Sequence, residues 1–423
     1  MKVAVVGAGY VGLVQAVGLV GLGHEVRLGE SNPDRFGMLA AGTSPISEPG
    51  LEPLLRKALD EGRLSVHRTG AEAAQGAVIV YLAVPTPEAT DGSADLSYVW
   101  RALDEIAPEL ESGAVVVMKS TVPVGTTKKA QALLQRRHID AVVASNPEFL
   151  REGTAVSDFK NPDRIVIGAN SDSALEILKE VYRGLDAPIV ETDPASAEMI
   201  KYGSNAYLAT RVAFANSIAN ICEAVGADVQ DVLHGMGHDA RIGFHFMQPG
   251  PGFGGSCLPK DTRALAHIAS SAGYEFTLLE EVIEANRQQR QKLFDKVRVA
   301  VGGDLNGKQI AIWGLAFKAG TDDLRESPAV DMANLLVAAG AHVTAHDPGV
   351  APDLPGIEIA ISPLEAVNGA DALLIATEWP EFADLDLSLV REAMAGDAVI
   401  DGRNLLEPST VRRSGLRYWG VGR

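Results

Sequence analysis

A short apolar run, Val3–Val6, leads directly into Gly7-Ala8-Gly9-Tyr10-Val11-Gly12 and then into an amphipathic stretch, Gly12–Leu22. A strand, a tight glycine turn and a helix, in that order, make a phosphate-binding βα unit. The first glycine permits the turn, the second lets a pyrophosphate approach the backbone, and the third lets helix and strand pack closely. The helix N-terminus then faces the phosphates. The glycine pattern alone is weak evidence. Here a second apolar run, Glu25–Leu28, follows it and ends near Glu30. That acid lies roughly twenty residues beyond the glycines, where a ribose-binding carboxylate belongs. It would repel a 2′-phosphate, so NAD is expected over NADP. Arg35 reads equally well as an adenosine contact and as a solvated helix residue.

The same rhythm continues. Val78–Ala83, Val115–Met118, Ala141–Ala144 and Ile165–Ile167 read as further buried strands, with helical stretches such as Leu51–Glu61 between them. This is the βαβ alternation of a doubly wound parallel sheet. Aromatic residues are scarce, at 5%, and glycine is frequent, at 43 residues; parallel strands favour Val, Ile and Ala. The pattern changes at Asp193-Pro194, a helix cap followed by a first-turn proline. One long helix is expected from Pro194 to about Val225. The chain to about Arg298 reads as helical, broken only around Pro249–Gly255. Strands return at Gln309–Trp313, His342–Ala345, Ala372–Ala376 and Ala398–Ile400. The expected fold is α/β, with two Rossmann-like doubly wound domains, 1–192 and 301–423, joined by a helical middle, 193–300. Arg412–Arg423 is expected to be loosely held.

The formal net charge of −18 argues against a general nucleic-acid binder, which needs a basic surface. It leaves room for an anionic small substrate, because a few local cations and N–H groups can hold phosphates in an acidic protein. No apolar run approaches membrane-spanning length, and the N-terminus enters its first strand without a leader pattern. Only two cysteines are present, Cys222 and Cys257, so no disulfide framework is expected and a reduced, cytoplasmic setting is the default. No metal ion is expected.

The two cysteines differ in their surroundings. Cys222 sits in a helical apolar pattern, Ile218–Val225, and reads as core. Cys257 ends a glycine-rich turn, Gly252-Phe253-Gly254-Gly255-Ser256, and precedes Leu258-Pro259-Lys260-Asp261. Those glycines are expected to leave backbone N–H groups accessible and sterically bare. A helix N-terminus and Lys260 would both favour a thiolate, which makes Cys257 a candidate nucleophile. A nicotinamide site beside a nucleophilic cysteine suggests oxidation through a thiohemiacetal and a thioester, with water releasing an acid.

Motifs along nearly the whole chain then carry a resemblance. They are Gly7–Gly12, Ser44-Pro45-Ile46 with Glu48-Pro49-Gly50-Leu51, Val84-Pro85-Thr86-Pro87, and Ser120-Thr121-Val122-Pro123 with Gly125-Thr126. Asn146-Pro147-Glu148-Phe149-Leu150-Arg151-Glu152-Gly153, Glu198-Met199-Ile200-Lys201 with Asn205, the Cys257 segment, and Phe317-Lys318 with Asp323-Leu324-Arg325-Glu326-Ser327-Pro328 complete the set. Together they resemble the UDP-glucose/GDP-mannose dehydrogenase family. The resemblance implies an N-terminal domain for NAD, a C-terminal domain for a sugar nucleotide, and a long central helix in a homodimer or larger homo-oligomer. It also implies a four-electron oxidation of C6 with two NAD in turn.

The resemblance further assigns roles. Cys257 is the nucleophile. Lys201 and Asn205, one helical turn apart, would stabilise an oxyanion. Asp261 and Thr121 would order water, and Glu148 would serve as base in thioester hydrolysis. Gly7, Gly9, Tyr10, Val11, Gly12, Glu30, Arg35, Thr86, Thr121, Glu152, Lys260 and Arg325 fall at cofactor positions. Glu148, Phe149, Leu150, Lys201, Asn205, Phe246, Gly254, Lys318 and Arg403 fall at substrate positions, and Arg241 at one that reaches a neighbouring subunit's diphosphate. Without the resemblance, Arg241 and Arg403 read as surface residues. Asp239-Ala240-Arg241-Ile242-Gly243 and Asp401-Gly402-Arg403-Asn404 resemble the UDP-glucose branch. Gln248, Leu258 and Glu30 depart from its usual Lys, Phe and Asp. GDP-mannose, dTDP-glucose and UDP-N-acetylhexosamine therefore stay open as substrates.

Overall fold

The computed structural model describes residues 1–423. The N-terminal sheet holds β1 (Lys2–Val6), β2 (Glu25–Gly29), β3 (Leu64–His67), β4 (Ile79–Leu82), β5 (Ala114–Met118), β6 (Ala141–Ser145), β7 (Ile165–Gly168) and β8 (Ile189–Thr192). Its order is β3-β2-β1-β4-β5-β6-β7-β8. Pairing is parallel throughout except where Ser145 of β6 meets Gly168 of β7, which turns the last two strands over.

Both faces of this sheet are covered, which is why its central strands are apolar without alternation. Every residue of β4 and β5 is buried. In β1, Val3 and Val5 pack into one core layer while Ala4 and Val6 pack into the other. Each such valine contributes about 1.5–3 kcal/mol by leaving water.

The C-terminal sheet holds β9 (Gln309–Trp313), β10 (His342–His346), β11 (Ile357–Ile359), β12 (Ala372–Ile375), β13 (Ala398–Asp401) and β14 (Arg417–Trp419), in the order β11-β10-β9-β12-β13-β14. Its strands are all parallel. The chain is thus an α/β protein with two Rossmann-like parallel sheets and a helical central region.

Six helices matter for function: α1 (Tyr10–Gly21), α2 (Thr126–Arg136), α3 (Pro194–Val225), α4 (Val229–Gly237), α5 (Leu258–Ser271) and α6 (Thr277–Ala300). Asp193 caps α3, accepting from the backbone N–H and hydroxyl of Ser196 at 3.0 and 2.6 Å. By internal contacts the chain falls into two compact units. One is Met1–Ser204 with His267–Tyr274; the other is Asn205–Ala266 with Glu275–Arg423. No helix is long and apolar enough to cross a membrane.

The C-terminal segment corrects one expectation. Arg412–Arg423 is not loosely held. β14 pairs with β13, Val421 is buried, and Asn404 both donates to the Val421 carbonyl (2.8 Å) and accepts its N–H (2.9 Å). Arg423 reaches Asp228 at 3.1 Å. These partners lie far off in sequence, so no local pattern announces them. β3, β8, β11 and β14 are also absent from the sequence reading. They are edge or near-edge strands of three or four residues, too short to show a period.

Candidate active site

The glycine turn has the shape its spacing implies. Gly7 has φ +97°, and a Cβ there would stand 2.6 Å from the carbonyl oxygen of Ala83. A Cβ on Gly12 would stand 1.8 Å from the carbonyl oxygen of Gly7, so only glycine lets α1 begin this close to β1. A Cβ on Gly9 would meet nothing within 4 Å. The space in front of the N-cap of α1 is therefore open, and no acidic side chain occupies the first turn. Glu30 follows β2 and is buried; its carboxylate accepts the N–H of Ala8 at 3.2 Å and of Asn32 at 2.7 Å. An open helix N-terminus beside a carboxylate with lone pairs to spare fits a dinucleotide. Arg35 is exposed beyond this turn, and Thr86 lies half-buried after β4.

Tyr10 begins α1 and donates to Glu48, which also accepts the N–H of Gly153 at 2.7 Å; Gly153 lies 2.8 Å from the Tyr10 hydroxyl as well. Burial, reinforced by Glu48, pushes the Tyr10 phenol well above its ordinary range. This cluster ties the Glu148–Gly153 loop, with Glu152, to the glycine turn.

Within the same unit, Lys201 of α3 donates to Glu148 at 2.8 Å, and both side chains are about 95% buried, with 5% and 6% exposed. Burial pushes the Glu148 carboxyl up. The Lys201 ammonium, the Leu150 N–H (2.6 Å) and Lys119 outweigh it and hold the group below the usual carboxylate range. Phe149 has two cations near its ring: Arg164 stacks 3.5 Å from its centre and Lys201 lies 5.3 Å away. One turn before Lys201, Glu198 accepts the N–H groups of Gly125 (2.6 Å) and Thr127 (2.8 Å) and the Thr127 hydroxyl (2.6 Å). It thereby caps α2 and fixes the start of α3. Burial raises its carboxyl above the ordinary range despite those donors. Thr121 sits half-buried in the loop between β5 and α2.

The second unit carries the cysteine. Cys257 directly precedes α5, and its carbonyl accepts the Asp261 N–H at 2.9 Å. Its sulfur lies half-buried at a helix N-terminus, 3.5 Å from the Ser256 hydroxyl. Asp261 is buried and accepts from Asn205 at 2.6 Å and from Lys260 at 2.5 Å. The glycines before Cys257 correct the expectation of bare, accessible backbone. Cβ atoms on Gly252, Gly254 and Gly255 would stand 2.5 Å from Asn286, 2.3 Å from the Glu326 carbonyl and 2.8 Å from Phe317. Asn286 takes the Phe253 N–H at 2.8 Å, and the Arg325 carbonyl takes that of Gly255 at 3.0 Å. Glycine is needed here because the turn is clamped on several sides, which holds the cysteine in place. Cys222 is buried core, as expected.

The remaining expected residues are spread over the second unit. Arg325 forms a fork with Asp323 at 2.7 and 2.8 Å, and Lys318 lies over the Phe317 ring. Arg403 is not a loose surface group: it donates to the carbonyls of Ala376 (2.9 Å) and Phe317 (2.7 Å) and pairs with Glu378 at 3.0 Å. Arg241 is 89% exposed and turned onto Asp239. Phe246 holds φ +57°, an unusual conformation for a bulky residue.

Several positioning groups escaped the sequence reading. Arg211 of α3 holds the carbonyls of Ile242 and Gly243, bracing the Arg241 segment. Asn216 and Gln289 clamp Gly250 from two helices. Glu48 and Glu198 lie inside the quoted motifs, but Glu48 is held by Tyr10 and Gly153, 38 and 105 residues away, and Glu198 by Gly125 and Thr127, 73 and 71 residues away.

Comparison with known proteins covers the chain in three parts. Residues 1–186 match the NAD binding domain of the UDP-glucose/GDP-mannose dehydrogenase family, 195–288 its central domain and 311–408 its UDP binding domain. A UDP-glucose 6-dehydrogenase of Pseudomonas aeruginosa is 42% identical over 446 residues, taking in 100% of this chain and 98% of the relative. One from Bacillus subtilis is 44% identical over 430 residues, with 100% and 93% covered. The solved structure of a UDP-glucose dehydrogenase from Pyrobaculum islandicum superposes with a TM-score of 0.93 at 39% identity, covering 100% of this chain and 97% of that one.

Proposed function

The chain belongs to the UDP-glucose/GDP-mannose dehydrogenase family, and on that premise we propose that it oxidises the C6 alcohol of UDP-glucose to the carboxylate of UDP-glucuronate. The observation that carries this reading is a cysteine clamped at a helix N-terminus in a chain that also has an open dinucleotide turn. Gly7–Gly12 and Glu30 would hold NAD, which would supply the hydride acceptor for two successive oxidations.

The chain's own residues do the rest. Lys201 and Asn205 share a face of α3 and stabilise the negative charge on the C6 oxygen by hydrogen bonds as its proton passes to water ordered by Asp261 and Thr121. The Cys257 thiolate adds to the resulting aldehyde, giving a thiohemiacetal, and the second oxidation leaves a thioester. Water then attacks: its oxygen bonds to the carbonyl carbon, its proton passes to Glu148, and the C–S bond electrons return to Cys257. Asp261 orients Asn205 and Lys260. Arg403, Lys318, Phe149 and Leu150 bind the sugar nucleotide, while Thr86, Thr121, Glu152 and Arg325 contact the cofactor.

The working form is a homodimer in the cytoplasm. Support comes from the exposed side of α3, where Tyr207, Phe214 and Ile221 stand at seven-residue intervals, and from two cysteines that form no disulfide. Arg241, exposed beside this face in the sequence, serves the neighbouring subunit's substrate.

The test is to incubate the purified chain with NAD and, separately, UDP-glucose, GDP-mannose, dTDP-glucose and UDP-N-acetylhexosamines. About two NADH per UDP-glucose and a UDP-uronate product are expected from the two-hydride mechanism. Two NADH with another nucleotide sugar alone would change the substrate and keep the chemistry. Cys257→Ala is expected to form no acid; full acid production by that variant would sink the thioester route.

A further inference from the structure

A second buried lysine has no part in the chemistry described so far. Lys119 follows β5 and is 6% exposed. Its ammonium donates to Asn146 Oδ1 at 3.0 Å and to the Tyr182 hydroxyl at 3.5 Å, both neutral acceptors. A buried ammonium without an anion at hydrogen-bond distance is costly, by several kcal/mol. The neutral groups around it are themselves fixed. Tyr182 donates to Asn146 Oδ1 at 2.5 Å, Gln15 donates to Tyr182 at 2.9 Å, and Asn146 donates to the Val166 carbonyl at 2.7 Å.

Lys119, Asn146, Tyr182, Gln15 and Glu148 all line one cavity of about 90 Å³. Such a space has room for ordered waters. The buried Oε1 of Gln15, which has no partner, and the third ammonium proton of Lys119 are polar groups to receive them. Glu148 lines the same space, together with Asp158 and Asp163, and Lys119 acts on its charge.

We propose that Lys119 is a positioning residue for Glu148: across their shared cavity it supplies the counter-charge that Glu148 loses when Lys201 turns to the reacting C6 oxygen. The inference rests on the reading of Glu148 as the base in thioester hydrolysis. A base must be ionised to accept the water's proton, and Lys201 cannot serve the substrate oxygen and Glu148 equally. The charged and titratable groups facing Glu148 are Lys201 from α3, Lys119 from the end of β5, and Arg164 with Asp163 ahead of β7. Asp158, on the Ala155–Lys160 helix, is engaged by Arg151 at 2.5 Å, and Tyr182 closes the far side. Arg164 is stacked on Phe149 and Arg151 on Asp158, which leaves Lys119 as the cation lining the cavity with only neutral acceptors.

The test is the pH profile of kcat, with NAD and UDP-glucose, for the full-length wild type and for Lys119→Met, Lys119→Gln and Lys119→Arg. Loss of the charge is expected to move the acidic limb up by about one pH unit, the size of a nearby opposite charge's effect on a carboxylate. KM for either substrate should change by less than about twofold, because Lys119 binds neither. Lys119→Arg should keep the wild-type limb. Should the Met variant fail to fold, the Gln variant, which retains a donor for Asn146, gives the same reading. An unmoved limb with kcat lowered equally at every pH would reduce Lys119 to a structural role and overturn the proposal. So would an Arg variant whose limb moves as far as that of Met. A wild type that makes no NADH from any nucleotide sugar would instead remove the reading on which the proposal rests, and the two failures are told apart by the wild type alone.

Discussion

The two parallel sheets run the same course through six strands, yet they use the turn after their first strand in opposite ways. In both, a glycine with positive φ follows that strand and presses against the neighbouring one. Gly7 has φ +97° and a Cβ position 2.6 Å from the Ala83 carbonyl; Gly314 has φ +89° and a Cβ position 2.3 Å from Thr377. In both, an acid after the second strand reaches back to the turn. Glu30 accepts one N–H from it, at Ala8, and one from Asn32. Asp347 accepts those of Leu315 (2.7 Å) and Ala316 (2.9 Å), of Gly349 (2.7 Å), and the Trp379 indole N–H (3.1 Å). A carboxylate has about four acceptor sites, so Glu30 retains room for a ligand and Asp347 retains none. The first turn also enters a helix at once, at Tyr10, whereas the second runs on to Ser327 before its helix Pro328–Ala338 begins. One topology thus yields an open anion site and a closed structural knot, and the difference lies in what the acid has left to offer.

That comparison breaks most easily at Asp347. Asp347→Ala would leave the buried N–H groups of Leu315 and Ala316 without an acceptor, with the partly buried bonds from Gly349 and Trp379 lost beside them, a loss on the order of 3 kcal/mol. In a unit of this size the melting temperature should fall by about 6–12 °C, while NAD affinity stays at the wild-type value. Thermal melts and NAD titration of the same variant check both halves; a wild-type melting temperature would show that the second turn is not held by its acid. Glu30→Ala should do the converse. NAD affinity should weaken by about tenfold, the size of one or two lost hydrogen bonds, with a smaller fall in melting temperature than Asp347→Ala gives, because Glu30 holds two N–H groups where Asp347 holds four. A variant that binds NAD as wild type does, or that comes to prefer NADP no more than before, would deny Glu30 its ribose role.

The sequence made the first turn legible because everything that builds it is local: a strand, three glycines, a helix and an acid at a fixed interval. It made Cys257 legible through the polarity of its neighbours, but misjudged why the glycines are there. Gly252, Gly254 and Gly255 are clamped by Asn286, Glu326 and Phe317, groups more than thirty residues away, and no spacing rule reports such contacts. Lys201 and Asn205 were found as a one-turn pair, but their anionic partners differ: Glu148 for one, Asp261 for the other. The knot at Asp347 was invisible for a related reason. Gly314 is followed by Leu315, Ala316 and Phe317 rather than by further glycines, so the second turn carries no phosphate-binding signature to read.

The smallest expected effect concerns the buried carboxylates of the two units, and its sign is what matters. Glu148 is held below its ordinary range: burial raises it, and the Lys201 ammonium with its hydrogen bond outweighs that. Asp401 is held by N–H groups of Arg403 and Leu406 and by the Tyr418 hydroxyl, with no cation bound to it, and burial prevails, so its carboxyl lies above the ordinary range. By linkage, the stability Glu148 contributes is present above its unfolded pKa of about 4.3 and is lost as pH falls through its lower folded value. The contribution of Asp401 is present below its unfolded pKa of about 3.9 and is lost as pH rises through its higher folded value. Measured from pH 3 to 7, the melting-temperature gap between wild type and Glu148→Gln should therefore widen as pH rises, and the gap between wild type and Asp401→Asn should narrow. Gaps that move in the same direction would mean that a lysine and a set of backbone N–H groups satisfy a buried carboxylate equally well. The contrast between the units would then come down to glycines and helix starts alone.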